Sequence, residues 1–428
     1  MRPASRRWWL LLLLFLGVGF NYVHRQALSL AAPVMMGELN FTAADMGVLL
    51  SAFFWSYALL QVPAGWLSDR FGVARIYGIS FAFSSIISAL TALARGVASL
   101  AMLRTLLGVG QAATFPASNL AISTWFQDRE RGTATGLFLA GNRVVPALMA
   151  PVGAYLLQRF GWQGFFLLTG FAPLILLLPW RRFFARAPER TAATHARAAS
   201  PVGGPSLPRE SEGLLASPAL FRQRTVWGIV LGFFCYDYGW FVYLTWLPGY
   251  LVLERKFTLG QMGVFTMIPL LAMALVIPLS GWLGDQFVRR GARELTVRKI
   301  FITVGFSIGC LIVPAGWVSS PTTCVWLLTL SLCGIGVVSP HPWALTQLVS
   351  PRRAVGTVSG IQNFGGNLGG VLAPAVTGFI AHATGSFFLA LALTGLVLVC
   401  GIASYWLLLG PQVLIETQGE EREHAARG

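Results

Sequence analysis

Long uninterrupted apolar stretches organise this chain, in place of the short apolar–polar alternation of a half-buried strand or the one-sided stripe of a surface helix. Runs of about 20 residues, each able to cross a ~30 Å hydrocarbon layer as a helix, recur from end to end. They lie near 8–37, 44–67, 76–95, 97–124, 134–158, 162–184, 225–253, 260–284, 298–318, 321–348, 354–384 and 386–410. Backbone polar groups in hydrocarbon must be satisfied within the segment, so the pattern predicts an all-α membrane protein of twelve transmembrane helices. The first run follows Arg6-Arg7 and continues, with no small-residue cleavage site, into Asn21, Tyr22, His24 and Arg25. It reads as an uncleaved first helix rather than a leader.

One stretch breaks the pattern. Residues 185–224 are rich in Arg, Ala, Ser and Pro and read as a flexible linker. They divide the chain into a six-helix bundle at 1–184, a second at 225–410, and a tail at 411–428. The two bundles repeat. GWLSDRFGVAR at 65–75 is echoed by GWLGDQFVRR at 281–290, GTATG at 132–136 by GTVSG at 356–360, and Ala150-Pro151 by Ala373-Pro374. Two six-helix pseudo-repeats suit alternating access to a site near the membrane midplane.

Charge then orients the chain. The net charge of +15 invites a nucleic-acid reading, and its placement removes it. With the N-terminus and every even loop in the cytoplasm, those segments hold 24 of the 31 Lys and Arg residues. The odd loops hold Arg95, Arg159, Arg255 and Lys256. This is the positive-inside bias of a multi-pass protein with both termini cytoplasmic. Abundant Arg beside only two Lys fits a bacterial inner membrane, where the Asn40-Phe41-Thr42 sequon is incidental. The five cysteines all fall in expected spans without metal-ligand spacing, so they read as core packing. No metal, cofactor or nucleic-acid partner is expected. Outside the spans no nucleophile–base pair or phosphate loop suggests an enzyme.

Ionisable residues inside spans cost energy and mark function. The cations are Arg25, Arg104 and Arg143; Asp237 is the acid expected to be buried; His24 and His341 complete the set. Three guanidinium groups against one carboxylate make an electropositive site. Each can hold a carboxylate, sulfonate or phosphate through two parallel hydrogen bonds. Tyr22 and Arg25 share one helical face, as do Arg104, Gly108 and Gln111. The bland alternatives remain beside this: Arg143 pairing only with Asp237, and His24, His341, Tyr57 and Trp343 as packed core residues.

The loop residues Gly65, Leu67, Asp69, Arg70, Gly72 and Arg75 resemble the signature of the major facilitator superfamily, with Asp285 in the second copy. The resemblance implies a cytoplasmic gate in which Asp69 meets a helix N-terminus and a nearby Arg. NYVHRQALSLAAP, LSAFFWSYALLQVPAGWLSDRFG, RTLLGVGQAATFPA, LTWLPGYL and GIQNFGGNLGGVLAPAVTGFI are together similar to the anion:cation symporter family. Its members include permeases for hexuronate, galactonate, glucarate, tartrate and phthalate. The resemblance implies that Tyr22, Arg25, Tyr57, Arg104, Asn142, Trp343 and Asn363 surround the substrate, with Asn142 where the family usually has Gln. Sugar-acid members resemble N-Y-x-D-R in the first span and carry an acid seven residues past the fourth-span Arg. Here His24 and Gln111 stand at those positions. Neither family proton carrier is present. Asp237, His24 and Arg143 are the remaining coupling candidates.

The expected function is secondary transport of a small organic anion by a monomer in the lipid bilayer, with protons as a candidate coupling ion. A uniporter, an anion exchanger and a transporter-like scaffold or sensor remain as alternatives. Drug–proton antiport fits poorly, because an Arg-lined site repels lipophilic cations.

Overall fold

The computed structural model describes residues 3–185, 223–350 and 355–409. Apart from Ala185, Gln223 and Arg224, the linker expected at 185–224 lies outside the described residues, as does the tail at 411–428. The described residues form fifteen α-helices and no strand. In chain order they are α1 (Pro3–Leu39), α2 (Ala43–Phe71), α3 (Val73–Leu90), α4 (Val97–Gln111), α5 (Thr114–Trp125), α6 (Asp128–Phe171) and α7 (Leu177–Ala185). There follow α8 (Arg224–Leu253), α9 (Leu259–Arg289), α10 (Glu294–Gly309), α11 (Ile312–Trp317), α12 (Pro321–Val338), α13 (His341–Val349), α14 (Val355–Thr384) and α15 (Phe388–Leu407).

Eleven stretches are long and apolar enough to cross a membrane, and one of them, Glu130–Phe184, is 55 residues long. That is two spans. Gly161 (φ 66°, ψ 179°) interrupts α6 with a left-handed backbone that a side chain would strain, and there the fifth span gives way to the sixth. The expected twelve spans are thus present. Several of them are broken along their length, among them the fourth, between α4 and α5, and the tenth, between α12 and α13. Pro116 cannot donate to the carbonyl of residue 112, nor Pro340 and Pro342 to those of 336 and 338, so the helical ladder opens there. Outward positions are apolar: Val62, Leu275 and Leu407 are 82%, 75% and 78% exposed. Water would penalise such a surface, whereas lipid does not.

The chain packs as two compact units. The first comprises Met1–Gly204 with Leu244–Leu271 and Pro374–Ser386; the second comprises Pro205–Tyr243, Ala272–Ala373 and Phe387–Gly428. In the first unit, hydroxyls tie helices together where lipid offers no hydrophobic drive. Ser56 donates to the Thr105 carbonyl (2.7 Å) and Ser80 to that of Gly110 (2.7 Å). Thr42 caps α2 through a reciprocal bond with Asp45, so the hydroxyl of the sequon is already engaged. The end of α8, the start of α9 and the end of α14 also belong to this unit. Ser29 on α1 donates to the Thr245 carbonyl, and Trp246 donates its indole N–H to the Pro374 carbonyl (2.9 Å). Gly47 on α2 faces Gly378 on α14 so closely that a Cβ at 47 would lie 2.8 Å from the Pro374 oxygen and 3.1 Å from the Gly378 Cα.

In the second unit, Ser280 donates to the Val337 carbonyl (2.8 Å), Tyr236 to Ser339 (2.9 Å) and Ser331 to the Gly309 carbonyl. Helix α10 starts four residues before the apolar run predicted at 298, and this changes the fate of two cations. Arg298 and Lys299, at the very start of that predicted run, are 7% and 6% exposed. The cysteines follow the core expectation only in part: Cys235 and Cys324 are buried, Cys310 and Cys333 half-buried, and Cys400 is exposed.

Candidate functional site

In the first unit the side chain of Arg25 lies inside an aromatic box. Its guanidinium carbon sits 4.2 Å from the Tyr57 ring centroid, 4.5 Å from Tyr22 and 4.7 Å from Phe53. Desolvated cation–π contacts of this kind are worth about 2 kcal/mol each and fix the plane of the group. Arg25 Nε donates to Gln111 Oε1 (2.7 Å), and Gln111 Nε2 donates to the Asn21 carbonyl (3.0 Å). Asn21 in turn donates to Thr114 (2.9 Å). The chain from α1 through α4 to α5 spans the broken fourth helix, so the break places Thr114 where Asn21 can reach it. One nitrogen of the box is left over: Arg25 Nη2 is buried and has no hydrogen-bond partner.

Arg104 behaves differently from the expectation of a shared grip. Its two terminal nitrogens donate to the backbone carbonyls of His24 (3.3 Å) and Arg25 (3.2 Å), leaving Nε unpartnered. In this structure it braces α1 beneath Arg25. His24 is fully buried, with Nε2 3.1 Å from the Thr169 carbonyl. Arg143 is half-buried; it donates to Asn142 Oδ1 (3.2 Å) and lies 5.9 Å from the Tyr22 ring. Tyr22, Arg25, Tyr57, Arg104, Asn142 and Arg143 therefore gather in one unit. No carboxylate is among its buried described residues. Phe53 and the bracing role of Gln111 are the site features that the sequence did not single out; Phe53 lies four residues before Tyr57, on the same face.

The other candidates lie in the second unit. Trp343 packs edge-to-face on Phe233 (5.0 Å, 72°) with 37% of its surface exposed. Asn363 accepts from Asn367 through its backbone carbonyl (2.9 Å). Asp237 is half-buried rather than buried, and its Oδ2 occupies the space that a Cβ at Gly366 would need.

The two copies of the loop motif differ. Asp69, Arg70 and Arg75 are exposed, Gly65 is half-exposed, and Arg70 stacks on Trp66 (5.1 Å) and Phe71 (5.5 Å). Asp69 forms no ion pair among the described residues. Asp285 does: Arg298 Nη2 lies 2.7 Å from its Oδ1 and 3.0 Å from Glu294 Oε1. A Cβ at Gly284 would meet Arg298 Nη1 and His341 Cε1, each at 2.9 Å, so glycine there makes room for both. Ser68 is its counterpart in the first copy. His341, fully buried, bonds through Nε2 to Ser280 (2.9 Å).

The sequence matches the family model described as Major Facilitator Superfamily over residues 14–374. The chain is a major facilitator. It is 31% identical over 96% of its length to the D-galactonate transporter of Escherichia coli, covering 97% of that protein. It is 29% identical to the probable sulfoacetate transporter SauU of Cupriavidus necator, with 94% of this chain and 93% of that one aligned. A solved bacterial homolog of the human lysosomal transporter Spinster, inward-facing and occupied, superposes with TM-score 0.76 at 17% identity. The match covers 94% of this facilitator and 96% of that chain, and it shows the shared fold.

Proposed function

We propose that this facilitator moves a small hydroxylated or otherwise polar organic anion across a bacterial inner membrane, with Arg25 as the residue that takes the acid group. The supporting observation is the unpartnered Nη2 of a buried guanidinium held in an aromatic box, with no buried carboxylate among the described residues of the same unit. A buried, unpaired charge is costly, and an incoming carboxylate or sulfonate relieves it. The relatives named for galactonate and sulfoacetate share that acid group and little else, which agrees with a site built around the anion. Asn142, Tyr22 and Tyr57 supply polar contacts to the rest of the molecule, and Trp343 and Asn363 are the second unit's candidates. Both termini are cytoplasmic, the protein works as a monomer, and it catalyses no covalent chemistry.

Asp237 is the proposed coupling group, since His24 is sealed in the core and Arg143 is a fixed cation. The test is uptake of labelled D-galactonate, D-glucarate, tartrate and sulfoacetate into proteoliposomes, with and without an imposed pH gradient. Wild type should move at least one of them and concentrate it when the gradient is present. Asp237→Asn should exchange or equilibrate the same anion without concentrating it. Failure of the wild type to move any of the four would refute the anion reading. Concentration by the Asn variant would remove Asp237 from the coupling step and leave the anion site standing.

A further inference from the structure

Next to Arg25 stands a residue the transport reading has not used. Gln26 is 2% exposed, and both its amide nitrogen and its amide oxygen are buried without a hydrogen-bond partner. Burying an unpaired amide costs roughly 2–7 kcal/mol by transfer, and one such group at two atoms is rarely kept without a use. An apolar side chain of similar shape would avoid that cost entirely.

Its place on α1 indicates what the amide could meet. Tyr22, Arg25, Gln26 and Ser29 recur at i, i+3, i+4 and i+7, which puts all four on one face of the helix. Tyr22 and Arg25 form the anion box, and Ser29 is committed to the Thr245 carbonyl. Gln26 thus lies between the box and a fixed hydrogen bond, with no competing partner on its own face. Arg25 offers only donors. An amide offers two N–H donors and a carbonyl acceptor. A hydroxyl group matches it, since one hydroxyl accepts from Nε2 while giving its proton to Oε1. A carboxylate, which only accepts, would leave Oε1 unpaired.

We propose that Gln26 is a specificity-determining residue that pairs with a hydroxyl of the transported anion, so that the site selects hydroxy acids over unsubstituted acids of the same length. This rests on Arg25 holding the acid group.

The experiment uses full-length protein in detergent and three matched pairs of probes: D-galactonate with hexanoate, D-glucarate with adipate, and tartrate with succinate. Ligand-induced shifts in melting temperature, titrated to give Kd, are measured for wild type, Gln26→Leu and Arg25→Lys. Wild type should prefer the hydroxylated member of at least one pair. Gln26→Leu should cut that preference by about tenfold, the order expected for losing one buried polar pair, while still binding the unsubstituted acid. Without ligand, the Leu variant should melt at or above the wild-type temperature, because it removes an unsatisfied amide. An unchanged preference in Gln26→Leu, or a wild type that prefers no hydroxylated probe, overturns the proposal. So does a Leu variant that melts lower and loses both members of a pair equally, which is the signature of a packing role. Loss of all binding in Arg25→Lys alongside an unchanged preference in Gln26→Leu would overturn only this inference, whereas full binding by Arg25→Lys would overturn the anion site beneath it.

Discussion

Arg25→Lys should reduce anion uptake by at least about 100-fold, with little change in the amount of folded protein. A lysine at this position keeps the charge and loses the geometry. The guanidinium lies within 4.2–4.7 Å of three ring centroids, gives Nε to Gln111 and still has Nη2 to offer. A tetrahedral ammonium on the shorter lysine side chain cannot keep the bond to Gln111 and the flat contact with three rings while placing a donor where Nη2 lies. Leaving a buried charge half-paired costs about 3–5 kcal/mol, enough for the predicted loss. Arg104→Lys should also impair uptake, and it should lower the melting temperature as well, because two backbone carbonyls of α1 lose their donors. Uptake by Arg25→Lys within twofold of wild type would dismiss the assignment.

The second large effect is expected at the crossing of α2 and α14. Gly378→Val adds a branched side chain where even a Cβ collides with the Ala43 carbonyl and lies 2.8 Å from the Gly47 Cα. Backbone cannot yield as a flexible side chain can, so the helices must part. Overpacking of this kind typically costs 1–3 kcal/mol. The variant should insert and bind an anion through Arg25, yet transport at least about tenfold more slowly, because the contact of α14 with α2 can no longer form. The readout pairs uptake at saturating anion with binding by melting shift. Normal turnover in Gly378→Val would show that the close contact is dispensable.

The spans were legible because hydrocarbon imposes a crude rule on composition, and even the unusual α6 divides at Gly161 where the apolar run pauses. The internal breaks were not. Hydropathy averages over a window and cannot feel a single missing N–H at Pro116 or Pro342. The burial of Arg298 and Lys299 was illegible for a related reason: a cation at a span's edge looks exposed until its partner is known. Asp285 and Glu294 hold the first, and the Leu409 carbonyl accepts from the second (2.5 Å). Arg25 stood out as an expensive charge within an apolar run. Its neighbour Gln26 did not, since a neutral amide leaves no mark in charge or hydropathy, and only its lack of partners in the folded chain drew notice. Arg104 could be located from sequence, while its attachment to backbone could not, because backbone acceptors carry no sequence signal.

The amide at position 111 has an electrical consequence. Arg25 leans on a neutral group, so nothing at that contact cancels its charge when the site is empty. Under the proposed docking on Arg25, a bound monoanion leaves the occupied site one charge less positive than the vacant one, with Arg104 and Arg143 common to both. Each elementary charge carried through the full membrane field is worth about 2.3 kcal/mol per 100 mV. On that reading the membrane potential acts on delivery and on return to extents that differ by one elementary charge. Gln111→Glu would lower the charge of both forms by one and leave that difference unchanged.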